Sequence, residues 1–138
     1  MARLYLDTNV FISYVQREIG FGWRALFVET ERFFIAVKKH DHVIILSPLF
    51  FREVEKITYM KEEDVMAQLG GLNVKIEILK EITTLHISPY LAFGVPTQDA
   101  THIAYAVTSR CDVVVTFNLK DFQPAQKYIK TLSPAMLD

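Results

Sequence analysis

A single cysteine, Cys111, stands in 138 residues. One thiol excludes an internal disulfide and fits a reducing compartment. An excess of either charge is also missing, since 15 Lys and Arg stand against 16 Asp and Glu, a formal net charge of −1. Bulk charge therefore gives no pull toward nucleic acid, and any such partner has to be met by a local patch. No apolar run is long enough to span a bilayer. The first residues also lack the charged segment and long apolar stretch of a secretory leader. A cytoplasmic protein with no membrane contact is expected. The five Gly and five Pro form no linker and no low-complexity tract. Residues 1–138 are therefore expected to form one domain.

What the chain has is apolar material, at 51% of residues. A chain of this size can bury roughly two thirds of its unfolded surface without staples. Short β-branched runs alternate with helical patterns. Residues 4–6 read as a strand. Residues 43–46 and 113–115 are continuous apolar runs, as expected of strands covered on both faces. In 74–79, Val74, Ile76 and Ile78 alternate with Lys75 and Glu77, a period of two that suits a half-exposed edge. A last short strand is expected within 128–132. Between them, 21–39 carries Trp23, Leu26, Phe27, Phe33, Phe34 and Val37 on one helical face, and 49–58, 61–70 and 97–109 also read as helices. Alternation of this kind implies an α/β fold, a parallel sheet with helices on both faces. Ligands in such folds sit beyond the carboxyl ends of the strands, where the strand order reverses.

The residues at those ends are acidic or amide. Asp7 follows the first strand, in LYLDTNVFI, where its ordinary job is to cap the next helix. After the second strand comes SPLFFREVEKI, with Ser47 and Pro48 marking a helix start. Phe50, Val54 and Ile57 form one stripe at helical spacing, and Glu53 falls on it while Glu55 points to solvent. A carboxylate on a buried face is costly unless it is paired or binds a cation, so Glu53 makes a buried salt bridge or a site. In TQDATHIAYAV the stripe is Ala100, Ile103, Ala104 and Val107, Thr97 is a cap candidate, and Asp99 lies in the first turn, where it favours the helix dipole. His102 falls near the opposite side and is expected at the surface or at a second interface. The run VVVTFNLKDF closes a central strand at Thr116 and continues with Asn118 and Asp121, residue types common in turns and caps.

Together the four segments direct Asp7, Glu53, Asp99 and Asp121, with Asn118, to one crevice. The donors are all hard oxygens, which suit Mg²⁺ or Mn²⁺ rather than Zn²⁺. Without a cation such carboxylates would raise one another's pKa values, and a metal there would also activate water. A Gly-rich phosphate loop, a Cys/His cluster and a nucleophile elbow are all absent. His40, His42, His86 and His102 lack zinc spacing.

These motifs, in this order, make the chain resemble the PIN-domain family of metal-dependent ribonucleases over almost its whole length. LDTNVFI is similar to the family's first motif, SPLFFRE to the second, QDATHIAYAV to the third and VVVTFNLKDF to the closing one. The resemblance implies a five-stranded parallel sheet in the order 3-2-1-4-5, with Asp7 brought beside Thr116, Asn118 and Asp121 where the order reverses. It implies an endoribonuclease in which Asp7, Glu53 and Asp99 hold one Mg²⁺ or Mn²⁺. Asp121 and Asn118 would support a second ion or the attacking water. Many relatives have Asp where this chain has Asn118. Thr8, Asn9 and Thr116 are candidates for orienting the ligands. Arg52, Lys56, Lys61 and Lys120 are candidates for RNA phosphates. Compact relatives are often VapC-like toxins of toxin–antitoxin pairs. An antitoxin partner and a homodimer are accordingly expected, with Trp23, Phe27 and Phe34 as contact candidates. The competing readings are a catalytically weak PIN-like module that binds RNA or protein, and a phosphoacceptor domain with Asp7 as nucleophile.

Overall fold

The computed structural model describes residues 1–17, 25–91 and 95–137, without the side chains of residues 84 and 85. Strands β1 (Arg3–Leu6), β2 (Val43–Leu46), β3 (Lys75–Ile78), β4 (Val113–Val115) and β5 (Lys130–Leu132) form one all-parallel sheet in the order 3-2-1-4-5. The described helices are α1 (Thr8–Gln16), α2 (Leu26–Lys39), α3 (Pro48–Thr58), α4 (Glu62–Gly70), α5 (Thr84–Leu91), α6 (Thr97–Thr108) and α7 (Leu119–Phe122). None of them is long and apolar enough to cross a membrane.

Strand pleating divides the core in two, because successive side chains point to opposite faces. Leu4, Leu6, Ile44, Leu46, Val113 and Val115 meet the apolar stripes of α1 to α4, including Phe11, Phe33, Phe50 and Val65. Tyr5, Ile45 and Val114 meet α6, with Tyr90 and Phe122 at the margin. The continuous runs of β1, β2 and β4 are therefore buried on both sides. The alternating run of β3 lies at an edge, as its period of two predicts, although Ile78, on the apolar side of that alternation, is exposed. Leaving β1, the chain runs through β2 and β3 on one side and then crosses to β4 on the other. The carboxyl end of β1 is thus the point of reversal.

Several local expectations are revised. The last strand is only Lys130–Leu132. Helix α6 has Pro96 at its N-cap with no side-chain cap, so Thr97 is its first helical residue rather than its cap. The two turns of α5 contain Pro89 and carry no clear sequence signal. Helix α2 begins at Leu26, and Trp23 lies outside the described residues. Phe34 is buried in the core, which removes it as a docking residue, while Phe27 is half-buried. Helical spacing puts Ile57 on the buried stripe of α3, yet it is 53% exposed. It sits one turn beyond Glu53, where the helix passes the edge of the core.

Candidate metal centre

Each acid reaches the crevice by a simple local device. Asp7 leaves β1 with its backbone N–H donating to the Val115 carbonyl at 3.0 Å, so the β1–β4 pairing carries one residue past the strand. It then caps α1: Oδ1 accepts from the Thr8 backbone N–H at 2.8 Å. Its other oxygen, Oδ2, accepts from the Thr116 hydroxyl at 2.7 Å. The expected cap is thus present, and it leaves the same carboxylate at the cleft. On α3, Ser47 caps the helix by accepting from the Phe50 N–H at 3.1 Å, Pro48 takes the first position, and Glu53 follows beside Val54. On α6, Asp99 occupies the first turn.

These side chains meet in a cleft of about 180 Å³ lined by Asp7, Thr8, Asn9, Ile12, Glu53, Ile57, Asp99, His102 and Asn118. Asp121, expected in the crevice with the other acids, is not among the residues lining the cleft, and it acts on Asp99 by its charge. The amide of Asn118 donates to Asp121 Oδ2 at 2.6 Å, so Asn118 serves as a donor that holds the acid. Of the orienting candidates, Thr8 and Thr116 bond to an acid, while Asn9 bonds to Thr116 and Phe117. Thr8 donates to Glu53 Oε1 at 2.5 Å. Thr116 Oγ1 accepts from the Asn118 backbone N–H at 3.0 Å and from the Asn9 side chain at 3.4 Å. The Phe117 N–H donates to Asn9 Oδ1 at 3.3 Å.

The largest correction is His102. Expected at a surface, it is 1% exposed and points into the acidic cluster. Its Nε2 lies 2.6 Å from Glu53 Oε1 and 3.5 Å from Asp7 Oδ1, and its Nδ1 lies 2.5 Å from the Tyr5 hydroxyl. The partner that a carboxylate on a covered face calls for is therefore a histidine, hydrogen-bonded to Glu53 Oε1. A signal was present in the sequence: between Asp99 and Val107 there is no Lys, Arg or Glu. A helix that apolar is buried on more than one side. Here α6 is covered by the sheet and also by α5.

Electrostatics follow from the crowding. Burial raises the Asp99 carboxyl, and the charges of Asp7, Asp121 and Glu53 add to it against the opposing effect of His102, so it titrates at about 6. Burial also raises Glu53, but hydrogen bonds from His102 and Thr8, with the charges of His102 and Arg52, outweigh this and leave it below the usual range. For His102 burial lowers the pKa, and the Glu53 hydrogen bond with three nearby carboxylates reverses the sign.

Asp7, Glu53 and His102 each offer one ligand atom, all within 4.8 Å of one another. Both described hydrogen bonds to Glu53 fall on Oε1, and no hydrogen bond among the described residues reaches Oε2 or the Asp99 carboxylate. One oxygen of Glu53 and the Asp99 carboxylate are thus left open toward the cleft. The group within 4.8 Å includes the His102 nitrogen and not Asp99; the carboxylate oxygens of Asp7, Glu53 and Asp99, taken by themselves, are donors that would suit Mg²⁺ or Mn²⁺.

The expected phosphate contacts divide. Arg52 is engaged by Glu81 at 2.5 Å and Lys61 by Glu55 at 3.3 Å. Lys56 and Lys120 are exposed and have no ion pair among the described residues. None of the four is among the described residues lining the cleft.

No family model matches the chain, and no curated protein matches it either. Among solved structures it is similar to a domain of a functionally unknown protein from Methanocaldococcus jannaschii, with a TM-score of 0.58 and 17% identity, over 96% of this chain and 91% of that one. At that identity the likeness shows the fold alone: an α/β sheet of five parallel strands in the order 3-2-1-4-5.

Proposed function

We propose that this chain is a Mg²⁺- or Mn²⁺-dependent endoribonuclease of PIN-like type. In this reading it is the cytoplasmic toxin of a toxin–antitoxin pair. The observation that carries the enzymatic reading is the convergence of Asp7, Glu53 and Asp99 at the reversal point of the sheet, crowded enough to hold Asp99 at about 6. Carboxylates brought together at such cost are the mark of a site for a cation rather than of a stable core. The toxin part, with its antitoxin partner and a homodimer, rests on the four ordered motifs. A short reading frame just upstream of the coding sequence would support it.

In this reading Asp7, Glu53 and Asp99 hold the ion, and the charge of Asp121 acts on Asp99. A bound divalent cation would supply charge neutralisation at the scissile phosphate and a lowered pKa for water. The remaining work belongs to the chain. Thr116 and the Thr8 backbone fix both oxygens of Asp7, and Thr8 and His102 fix Glu53. Asn118 keeps Asp121 turned inward. Lys56 and Lys120 are the available cations for RNA phosphates. The binding-module reading draws on one observation: Asn118 brings an amide, already donated to Asp121, where a further acid would add charge.

The test is incubation of purified protein with a mixed RNA pool and Mn²⁺, with and without EDTA, beside Asp7→Asn. Cleavage is expected only for the wild type with Mn²⁺. Equal outcomes in all three arms would remove the nuclease reading.

A further inference from the structure

Outside the acids themselves, the least explained feature is a buried file of polar groups on the second face of the sheet. The Ser47 and Tyr5 hydroxyls lie 2.7 Å apart. The Tyr5 hydroxyl is 2.5 Å from His102 Nδ1, and His102 Nε2 is 2.6 Å from Glu53 Oε1. Ser47 and Tyr5 are fully buried and His102 nearly so. The file begins at a helix cap, where Ser47 accepts from Phe50 N–H, and it ends at the cleft.

Stability alone does not call for this file. A buried polar chain is no better than an apolar one of the same shape, and is worse if any member loses its partner. The same elements are already joined by Ile45, Ala100, Ile103 and Val114. The membership of the file is more informative. Tyr5 sits on β1, whose next residue after the strand is Asp7. Ser47 caps α3, which carries Glu53. His102 lies one turn after Asp99 on α6. Each link therefore joins two of the three elements that deliver an acid. At its end, His102 and Thr8 both grip Oε1 of Glu53. A glutamate has three side-chain torsions, and here one oxygen is pinned while the other stays available.

We propose that Ser47, Tyr5 and His102 are positioning residues that set the Glu53 carboxylate, and the spacing of the three acid-bearing elements, for a divalent cation. The inference rests on the metal part of the reading above and adds residues outside its set of acids. His102 acts as a donor through Nε2–H and is not itself a ligand. Outer hydrogen-bond partners of this kind hold ligand orientation, and losing them typically weakens metal affinity by about 10- to 100-fold.

The experiment compares wild type, Tyr5→Phe, His102→Asn and His102→Gln. It reads Mn²⁺ affinity by electron paramagnetic resonance, imidazole nitrogen coupling by electron spin-echo, and unfolding in urea. Tyr5→Phe removes one oxygen and keeps the ring. Gln can present an amide N–H near the place of Nε2, whereas Asn is too short. Tyr5→Phe and His102→Asn are expected to bind Mn²⁺ about 10- to 100-fold more weakly, and His102→Gln to recover most of the loss. No imidazole coupling is expected in the wild type. Wild-type affinity in both Tyr5→Phe and His102→Asn would overturn the proposal. So would losses that track urea stability with Gln no better than Asn, or a coupled imidazole nitrogen. A wild type that fails to bind Mn²⁺ would overturn it together with the metal reading. Mn²⁺ bound without RNA cleavage would remove the ribonuclease alone, and the affinities would still decide the positioning role.

Discussion

Asp99→Asn should make the metal-free protein more stable, and only where the carboxylate is charged. In the folded chain this group titrates at about 6 instead of its usual 3.8. At about 1.4 kcal/mol per tenfold, that difference corresponds to roughly 3 kcal/mol. Asp99 is only half-buried, and water screens part of the repulsion, so about 1–2 kcal/mol is the working figure. Well below pH 3.8 the group is protonated in folded and unfolded chains alike and contributes nothing. Between about pH 4 and pH 6 the unfolded chain gives up its proton first, so folding stability falls as pH rises. Above about pH 6 the penalty is complete and constant. Asn carries no charge and feels no such fall. Urea unfolding in EDTA should therefore show the variant and wild type close together at pH 4, and the variant ahead by about 1–2 kcal/mol at pH 7.5. Adding Mn²⁺ at pH 7.5 should shift the order back, because the cation stabilises the wild type by mass action and the variant less. A variant that is less stable at pH 7.5, or equally displaced at both pH values, would refute the crowding from which the candidate site is inferred.

Two further outcomes follow from the same geometry. Phe50 is fully buried and meets Phe11 and Phe51 edge to face, at centroid distances of 5.6 and 5.3 Å, so Phe50→Ala should cost about 3–5 kcal/mol in urea unfolding; a loss below about 1 kcal/mol would mean that this core is loosely packed. In salt titrations of RNA binding, Lys56→Ala or Lys120→Ala should flatten the slope of log affinity against log salt by about 0.7 for each phosphate that is no longer neutralised. Arg52→Ala should leave that slope unchanged, since its guanidinium is engaged by Glu81. The reverse ranking would mean that Arg52 leaves Glu81 to meet phosphate and that Lys56 and Lys120 take no part.

The sheet was legible because its strands carry their environment in their own residues. Runs 43–46 and 113–115 are β-branched and continuous, and they are buried on both faces; 74–79 alternates, and it lies at an edge. The strand order was not legible from those runs and came from the family resemblance. Asp7 and Asp99 were found through their place after a strand and in a first turn, and Glu53 because a stripe of α3 ran through it. What failed depended on contacts between distant segments. The periodicity of one helix puts His102 outside, but its burial is decided by Tyr5, 97 positions earlier, and by Glu53, 49 positions earlier. Ile57 failed for the opposite reason: helical spacing continues past the edge of the core, and the core does not follow it.

The Thr116 hydroxyl that holds Asp7 comes from a residue 109 positions further along the chain. During synthesis, β1 and the first acid emerge early, and β2 and β3 can pair alongside. The other flank of β1, and with it the oxygen that orients Asp7, is completed only when β4 has been made and has slotted in. The oxygen that orients Asp7 thus arrives only with the fourth of the five strands. A chain that stops short of β4 lacks the hydroxyl that orients this carboxylate.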